Sequence, residues 1–93
     1  MTKTSPVRDN PAQSRYELDI DGHTAVANYA LTPGVITFMH TEVPSALSGR
    51  GIGSQLARGA LDDVRDRGLK VVARCEFIAG YIAKHPEYRD VLS

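Results

Sequence analysis

Three glycines at alternate positions stand in the segment Leu47-Ser48-Gly49-Arg50-Gly51-Ile52-Gly53-Ser54, just ahead of a helical apolar repeat. A residue without a side chain lets a ligand reach the main chain and tolerates positive φ. The first N–H groups of a helix lack internal partners, and its dipole puts partial positive charge there. Such a loop suits a phosphate or pyrophosphate, and Arg50 adds a cation at its rim. The plain alternative is a tight strand-to-helix turn with no ligand. Two commoner glycine motifs do not fit. A Walker loop closes on Gly-Lys-Ser/Thr, whereas Gly53 is followed by Ser54 and Gln55. A dinucleotide fingerprint follows the first strand of a βαβ unit, and here three strand patterns come first.

Those patterns must hold the loop in position. Arg15 to Asp21 alternates strictly, with Tyr16, Leu18 and Ile20 on one face and Arg15, Glu17, Asp19 and Asp21 on the other, a half-exposed strand. Asp21-Gly22 signals a hairpin turn, and His23 to Leu31 alternates again. Thr32-Pro33-Gly34 is a second turn. Val35 to Val43 predicts a third, more central strand, ended by Pro44. A helix is expected from the glycine loop to about Arg67, with Ile52, Leu56, Ala60, Leu61 and Val64 on one face. Arg58, Asp62, Asp63 and Asp66 read as its solvated side, and Gly68 as its C-cap. Lys70 to Arg74 predicts a short strand, parallel to the third because a helical crossover precedes it. Glu76 to Lys84 predicts a second helix with a Phe77, Ile78, Tyr81 and Ile82 stripe, stopped before Pro86. Residues 1–14 carry no apolar period and are expected to be a flexible lead-in; residues 15–93 form one domain. The fold class is α+β, in the order β-β-β-α-β-α, with a mainly antiparallel sheet and helices packed on it.

Eleven Lys+Arg balance eleven Asp+Glu in 93 residues. The absent basic excess argues against general nucleic-acid or membrane-surface binding. No apolar run approaches membrane-span length, and no signal peptide is apparent, so a cytoplasmic location is expected. One cysteine, Cys75, excludes an intrachain disulfide. His23, His40 and His85 are too scattered for a zinc site, and no metal is expected.

The segments His40-Thr41-Glu42-Val43-Pro44, Gly49-Arg50-Gly51-Ile52-Gly53-Ser54, Cys75-Glu76-Phe77 and Lys84-His85-Pro86-Glu87-Tyr88 together resemble the small YjdJ-like proteins of the GNAT N-acetyltransferase superfamily. The resemblance spans about Arg15 to Leu92. It departs from the superfamily's Gln/Arg-x-x-Gly-x-Gly/Ala pattern at Ser48. It implies acetyl-CoA as co-substrate, with the pyrophosphate on the N–H groups of Gly49, Arg50, Gly51, Ile52, Gly53 and Ser54, and the pantetheine arm along a strand edge near Val43. Lys84 is a candidate contact for the adenosine end. The implied reaction moves acetyl to an amine, either a small molecule or a protein side chain. Such a reaction needs a deprotonated amine and a proton for the departing thiolate. His40 and Glu42, two apart on a strand, share a face and are candidate proton relays. Cys75, at a strand-to-helix junction beside Arg74, is a candidate acyl relay or proton donor, or a small packed hydrophobe. Tyr81 and Tyr88 are further candidate acids. The alternative is a non-catalytic acyl-CoA-binding or CoA-binding module.

Overall fold

The computed structural model describes residues 6–93. Five strands pair in sequence order: β1 (Val7–Asn10), β2 (Arg15–Ile20), β3 (His23–Thr32), β4 (Val35–Glu42) and β5 (Lys70–Ala73). The first four are antiparallel, and β5 runs parallel to β4. Helix α1 (Ile52–Asp66) makes the crossover between them, and α2 (Glu76–Lys84) follows β5. 3-10 segments lie at Ser45–Leu47, one turn, and Pro86–Val91, two turns.

Local chemistry accounts for the turns. Asp21 and Gly22 both take positive φ, 52° and 79°, which matches the twist of a two-residue hairpin. Gly68, at φ 71°, ends α1 while its amide and that of Leu69 reach back to Arg65 and Val64. The alternating residues Tyr16, Leu18, Ala25, Ala27, Ile36 and Phe38 form one sheet face, and both helices cover it. Leu56, Ala60, Leu61, Val64 and Ile78 complete a core in which most side chains are fully buried. Burial of this apolar area is the main stabilising term.

Three expectations need correction. The lead-in was expected to be flexible, yet Val7–Asn10 pairs with Arg15–Leu18 as an edge strand. One apolar residue in four gives no period, so the strand depends on partners distant in sequence. Residues 1–5 of the expected lead-in lie outside the described residues. Likewise, Glu17 was assigned to an exposed face but is only 3% exposed. Arg8, Asn10 and Arg15 close over its carboxylate at 2.7, 3.0 and 2.6 Å. The expected solvated side of α1 is also partly structural. Asp63 accepts the Tyr16 hydroxyl at 2.6 Å, Asp62 accepts the Tyr88 hydroxyl at 2.7 Å, and Arg67 reaches Asp9 at 3.0 Å. Tyr29 donates to Asp9 at 2.6 Å. Burial, and then these carboxylates, raise both the Tyr16 and Tyr29 phenols, that of Tyr29 to about 12.

The Arg15 hydrogen bond, helped by Asn10 and the two arginine charges, holds the Glu17 carboxyl below its ordinary value, against the opposing effect of burial. A depressed folded value stabilises the fold above the ordinary glutamate range and loses that contribution as pH falls through the depressed value. Urea midpoints for the parent should therefore fall below about pH 4.3. Glu17→Gln should cost about 2 kcal/mol at pH 7 and show a shallower acid decline than the parent. Parallel acid profiles for the two proteins would remove Glu17 from the account.

Candidate functional site

β4 and β5 pair from Val35 opposite Lys70 to Phe38 opposite Ala73. There the Phe38 carbonyl accepts the amides of both Arg74, at 3.0 Å, and Cys75, at 2.9 Å. The second acceptance turns the chain off the sheet and into α2. Strand β4 continues to Glu42 with, among the described residues, only β3 beside it. A register shift against β3 leaves Met39 as an extra residue between the Tyr29–Phe38 and Asn28–His40 pairs, and such a bulge bends the strand. The result is a length of β4 edge whose main-chain groups face a gap where β5 has departed.

The glycine loop lies at the end of that edge. Gly49 and Gly51 take φ 77° and 71°, and Gly51 is the N-cap of α1. Gly53 is inside the helix and owes its lack of a side chain to a neighbour. A Cβ there would stand 2.7 Å from Cζ of Phe77. The Gln55 amide is the first to find the helix ladder, on the Gly51 carbonyl. Among the described residues, the amides of Ile52, Gly53 and Ser54 have no acceptor. Val43, Gly49, Gly51, Ile52, Gly53 and Ser54 share a cleft of about 240 Å³ walled by Phe77. The Ile52 side chain is buried in the core, so only its main chain can contribute. Arg50 is paired with Asp21 on the β2–β3 turn at 2.9 Å, not aimed at the loop. Lys84 lies beyond Phe77, in a pocket of about 150 Å³ with Ser54, Gly80, Tyr81 and His85.

The expected chemistry-bearing residues divide between two faces. Thr41 pairs with the core residue Ala27 and so faces the helices, where its hydroxyl meets the Cys75 sulfur at 3.2 Å. Cys75 is the N-cap of α2 and is buried. His40 and Glu42 pair with Asn28 and Val26 and face the helix-free side. Their side chains are 62% and 69% exposed, with Nε2 and Oε2 3.4 Å apart. They share a face as expected, but that face is opposite Cys75. Tyr88 is committed to Asp62, and burial with that bond raises its phenol. The Tyr81 ring stacks on His85 at 4.0 Å, and burial raises its phenol too. Its hydroxyl has no hydrogen-bond partner among the described residues. Among those residues, no group of His, Cys, Asp or Glu is arranged to hold a metal ion, and no helix is long and apolar enough to cross a membrane.

A family model described as GCN5-related N-acetyl-transferase matches residues 15–91. The chain belongs to the GCN5-related N-acetyltransferase family. Protein NATD1 of Gallus gallus and of Homo sapiens are each 42% identical to it over 52 residues, 56% of this chain and 47% and 46% of theirs. The matched stretch spans about half the length of those curated relatives. A GCN5-like protein of Staphylococcus aureus solved by NMR shares the fold with TM-score 0.71, covering 94% of this chain and 86% of that one at 24% identity. In this member of the GCN5-related family, no helix among the described residues covers the sheet face that carries His40 and Glu42.

Two residues at the site were not singled out from sequence. Thr41 faces Cys75 only because the bulge at Met39 sets which residues of β4 point inward. Phe77, counted in the buried stripe of α2, is 42% exposed and separates the loop cleft from the Lys84 pocket. A glycine in the first turn of α1 was the available signal, because it leaves room for a ring. The two glycines should consequently respond differently. Gly51→Ala forces a side chain into the left-handed region and should cost about 1–2 kcal/mol in urea unfolding. Gly53→Ala gains about 1 kcal/mol of helix propensity against the Phe77 clash, so its net change should stay near zero. In a Phe77→Ala background, Gly53→Ala should become plainly stabilising. An unchanged effect in that background would exclude the Phe77 contact as the reason for glycine.

Proposed function

We propose that this chain binds acetyl-CoA and transfers its acetyl group to an amine. The observation that carries the proposal is the joining of two features in one groove: the unpaired β4 edge beyond Phe38 and the free amides opening α1. The first suits an extended pantetheine arm, which carries amides of its own. The second suits a pyrophosphate, with dipole and N–H groups both favourable. The residues present therefore fit the co-substrate, and the family match points the same way. Ile52, Gly53 and Ser54 would hold the pyrophosphate by main-chain donors, with Gly49 and Gly51 shaping the loop. Val43 and the edge before it would take the arm, and Lys84 would meet a phosphate at the adenosine end. This reading leaves Arg50 with Asp21 until a ligand competes for it.

Acetyl transfer forms an N–C bond as the C–S bond breaks. One proton leaves the amine, and one is delivered to the departing sulfur. Glu42 and His40, exposed beside the gap, are the proposed path for the first. Cys75 and Tyr81, on the helix side, are the proposed donors for the second; the Tyr81 phenol, raised by burial, stays protonated at neutral pH. The exposure of His40 and Glu42 favours one second reading, a CoA-binding module without efficient turnover, because neither side chain is enclosed against water.

Free CoA and acetyl-CoA should both raise the melting temperature, by about 2.7 kcal/mol of added stability at 100 times the dissociation constant. Pantetheine, lacking the pyrophosphate, should do far less. Equal shifts from all three would take the glycine loop out of the binding account. CoA release that depends on an added amine supports the enzyme; binding without release supports the module.

Cys75 separates two routes. An acyl relay requires a mass increase of one acetyl on incubation with acetyl-CoA alone, absent in Cys75→Ala and discharged by amine. Direct attack requires no such adduct. Direct attack is the favoured route because an aligned amine and thioester suffice. Cys75→Ala should then slow turnover and leave CoA binding intact.

A further inference from the structure

The outer edge of β5 carries one isolated bridge and is otherwise unpaired among the described residues. Leu92 forms a parallel bridge with Val71, and the Ser93 amide donates to the Val71 carbonyl at 2.8 Å. The Arg74 amide, by contrast, is turned inward to β4. Alternate residues of a strand direct their main-chain groups to the same edge. Ala73 therefore offers its N–H and C=O outward, one pleat beyond Val71.

Beside that edge lies a groove of about 530 Å³, remote from the glycine loop in its lining. Val72 and Ala73 of β5 and Ala79, Ile82 and Ala83 of α2 line it, together with Leu92. Ala79 and Ala83 are one helical turn apart, and their small side chains leave the space between α2 and β5 unfilled. Val72 and Leu92 remain 37% and 40% exposed.

Among the described residues that line the groove, Arg89 is the one with a charged side chain. Its cationic neighbours are both engaged on Asp90: Arg65 with the carboxylate at 2.7 Å and Lys70 with the carbonyl at 2.8 Å. Arg89 makes no ion pair among the described residues. An aliphatic groove with main-chain donors and acceptors along one wall and a single cation matches an extended peptide better than a purely hydrocarbon ligand, which would leave the Ala73 groups and Arg89 unanswered.

We propose that the β5–α2 groove binds an extended peptide segment of a partner protein. The segment pairs its main chain with Ala73, sets aliphatic side chains between α2 and β5, and presents a carboxylate to Arg89. In this mode main-chain bonds supply affinity and alternate side chains supply selectivity.

The test is fluorescence anisotropy on the whole chain with labelled hexapeptides. Each alternates valine or leucine with threonine and ends in a glutamate with a free carboxylate. Saturable binding is expected below roughly 1 mM, a weak transient affinity. Arg89→Glu should weaken it by about tenfold or more, since the pairing becomes repulsive. Ala83→Trp, which fills the groove from an exposed position, should abolish it. Both variants should retain the parent's far-ultraviolet circular dichroism. No saturable binding by any peptide of the panel would overturn the proposal, as would undiminished binding by both variants. Concentration-dependent self-association of the chain that Ala83→Trp removes would also overturn it, by assigning the groove to a second copy.

Discussion

The Phe38 carbonyl takes two amides, those of Arg74 and Cys75, and that sharing ends the parallel pairing of β4 with β5. A parallel ladder gives each acceptor one donor. Once two successive donors converge on one oxygen, β5 has turned and cannot follow β4 further. Cys75 becomes the N-cap of α2 by the same step, so the gap and the buried thiol share one cause. The Met39 bulge lies against β3, on the other side of β4, next to the residue where β5 departs.

That divergence needs a rigid frame, because an unpaired length of central strand would otherwise close or fray. The frame is tied by side chains distant in sequence. Tyr16 on β2 and Tyr29 on β3 donate to Asp63 on α1 and Asp9 on β1, and Arg67 bridges the same carboxylates. Tyr88 and Arg65 tie the C-terminal turn to α1, through Asp62 and the ring face of Tyr88. Hydrogen bonds to charged acceptors are worth more than neutral ones, and those of Tyr16, Tyr29 and Tyr88 come from phenols whose rings are buried in the core. The helices are therefore fixed against the sheet at the opposite end of α1 from the glycine loop. The loop keeps its free amides without needing to hold the fold together.

Residues whose structure depends on near neighbours were legible from sequence. Strict alternation gave β2, Asp21-Gly22 gave its turn, Gly68 gave the end of α1, and Pro86 helped bound α2 at Glu76–Lys84. Hydrophobic period and turn chemistry are local quantities. What depends on tertiary partners was not legible. Val7-Arg8-Asp9-Asn10 shows no strand pattern because its stability comes from Glu17, Asp19 and Arg67. Glu17 looks solvated in the alternation of β2 and is buried only because β1 exists. Asp62 and Asp63 look like a wet helix face until Tyr88 and Tyr16 meet them. At the site, the glycine spacing was legible, whereas the separate reasons for Gly51 and Gly53 were not, since one concerns φ and the other a ring from α2.

The bulge has a further consequence for any chemistry at the gap. Without an extra residue in β4, Phe38 and His40 would share a face by simple alternation. With Met39 inserted against β3, Thr41 instead joins Phe38 on the helix side, and His40 and Glu42 go to the open side. On the proposed acetyl transfer, this segregates the two proton movements. An incoming ammonium meets exposed Glu42 and His40, where water can carry its proton away. The departing sulfur meets the Thr41–Cys75 contact and the buried side of α2, where water is scarce. A base belongs where its conjugate acid can be discharged, and an acid belongs where a developing thiolate lacks solvent. One inserted residue thus does for the open face and the covered face what two separate elements would otherwise have to do.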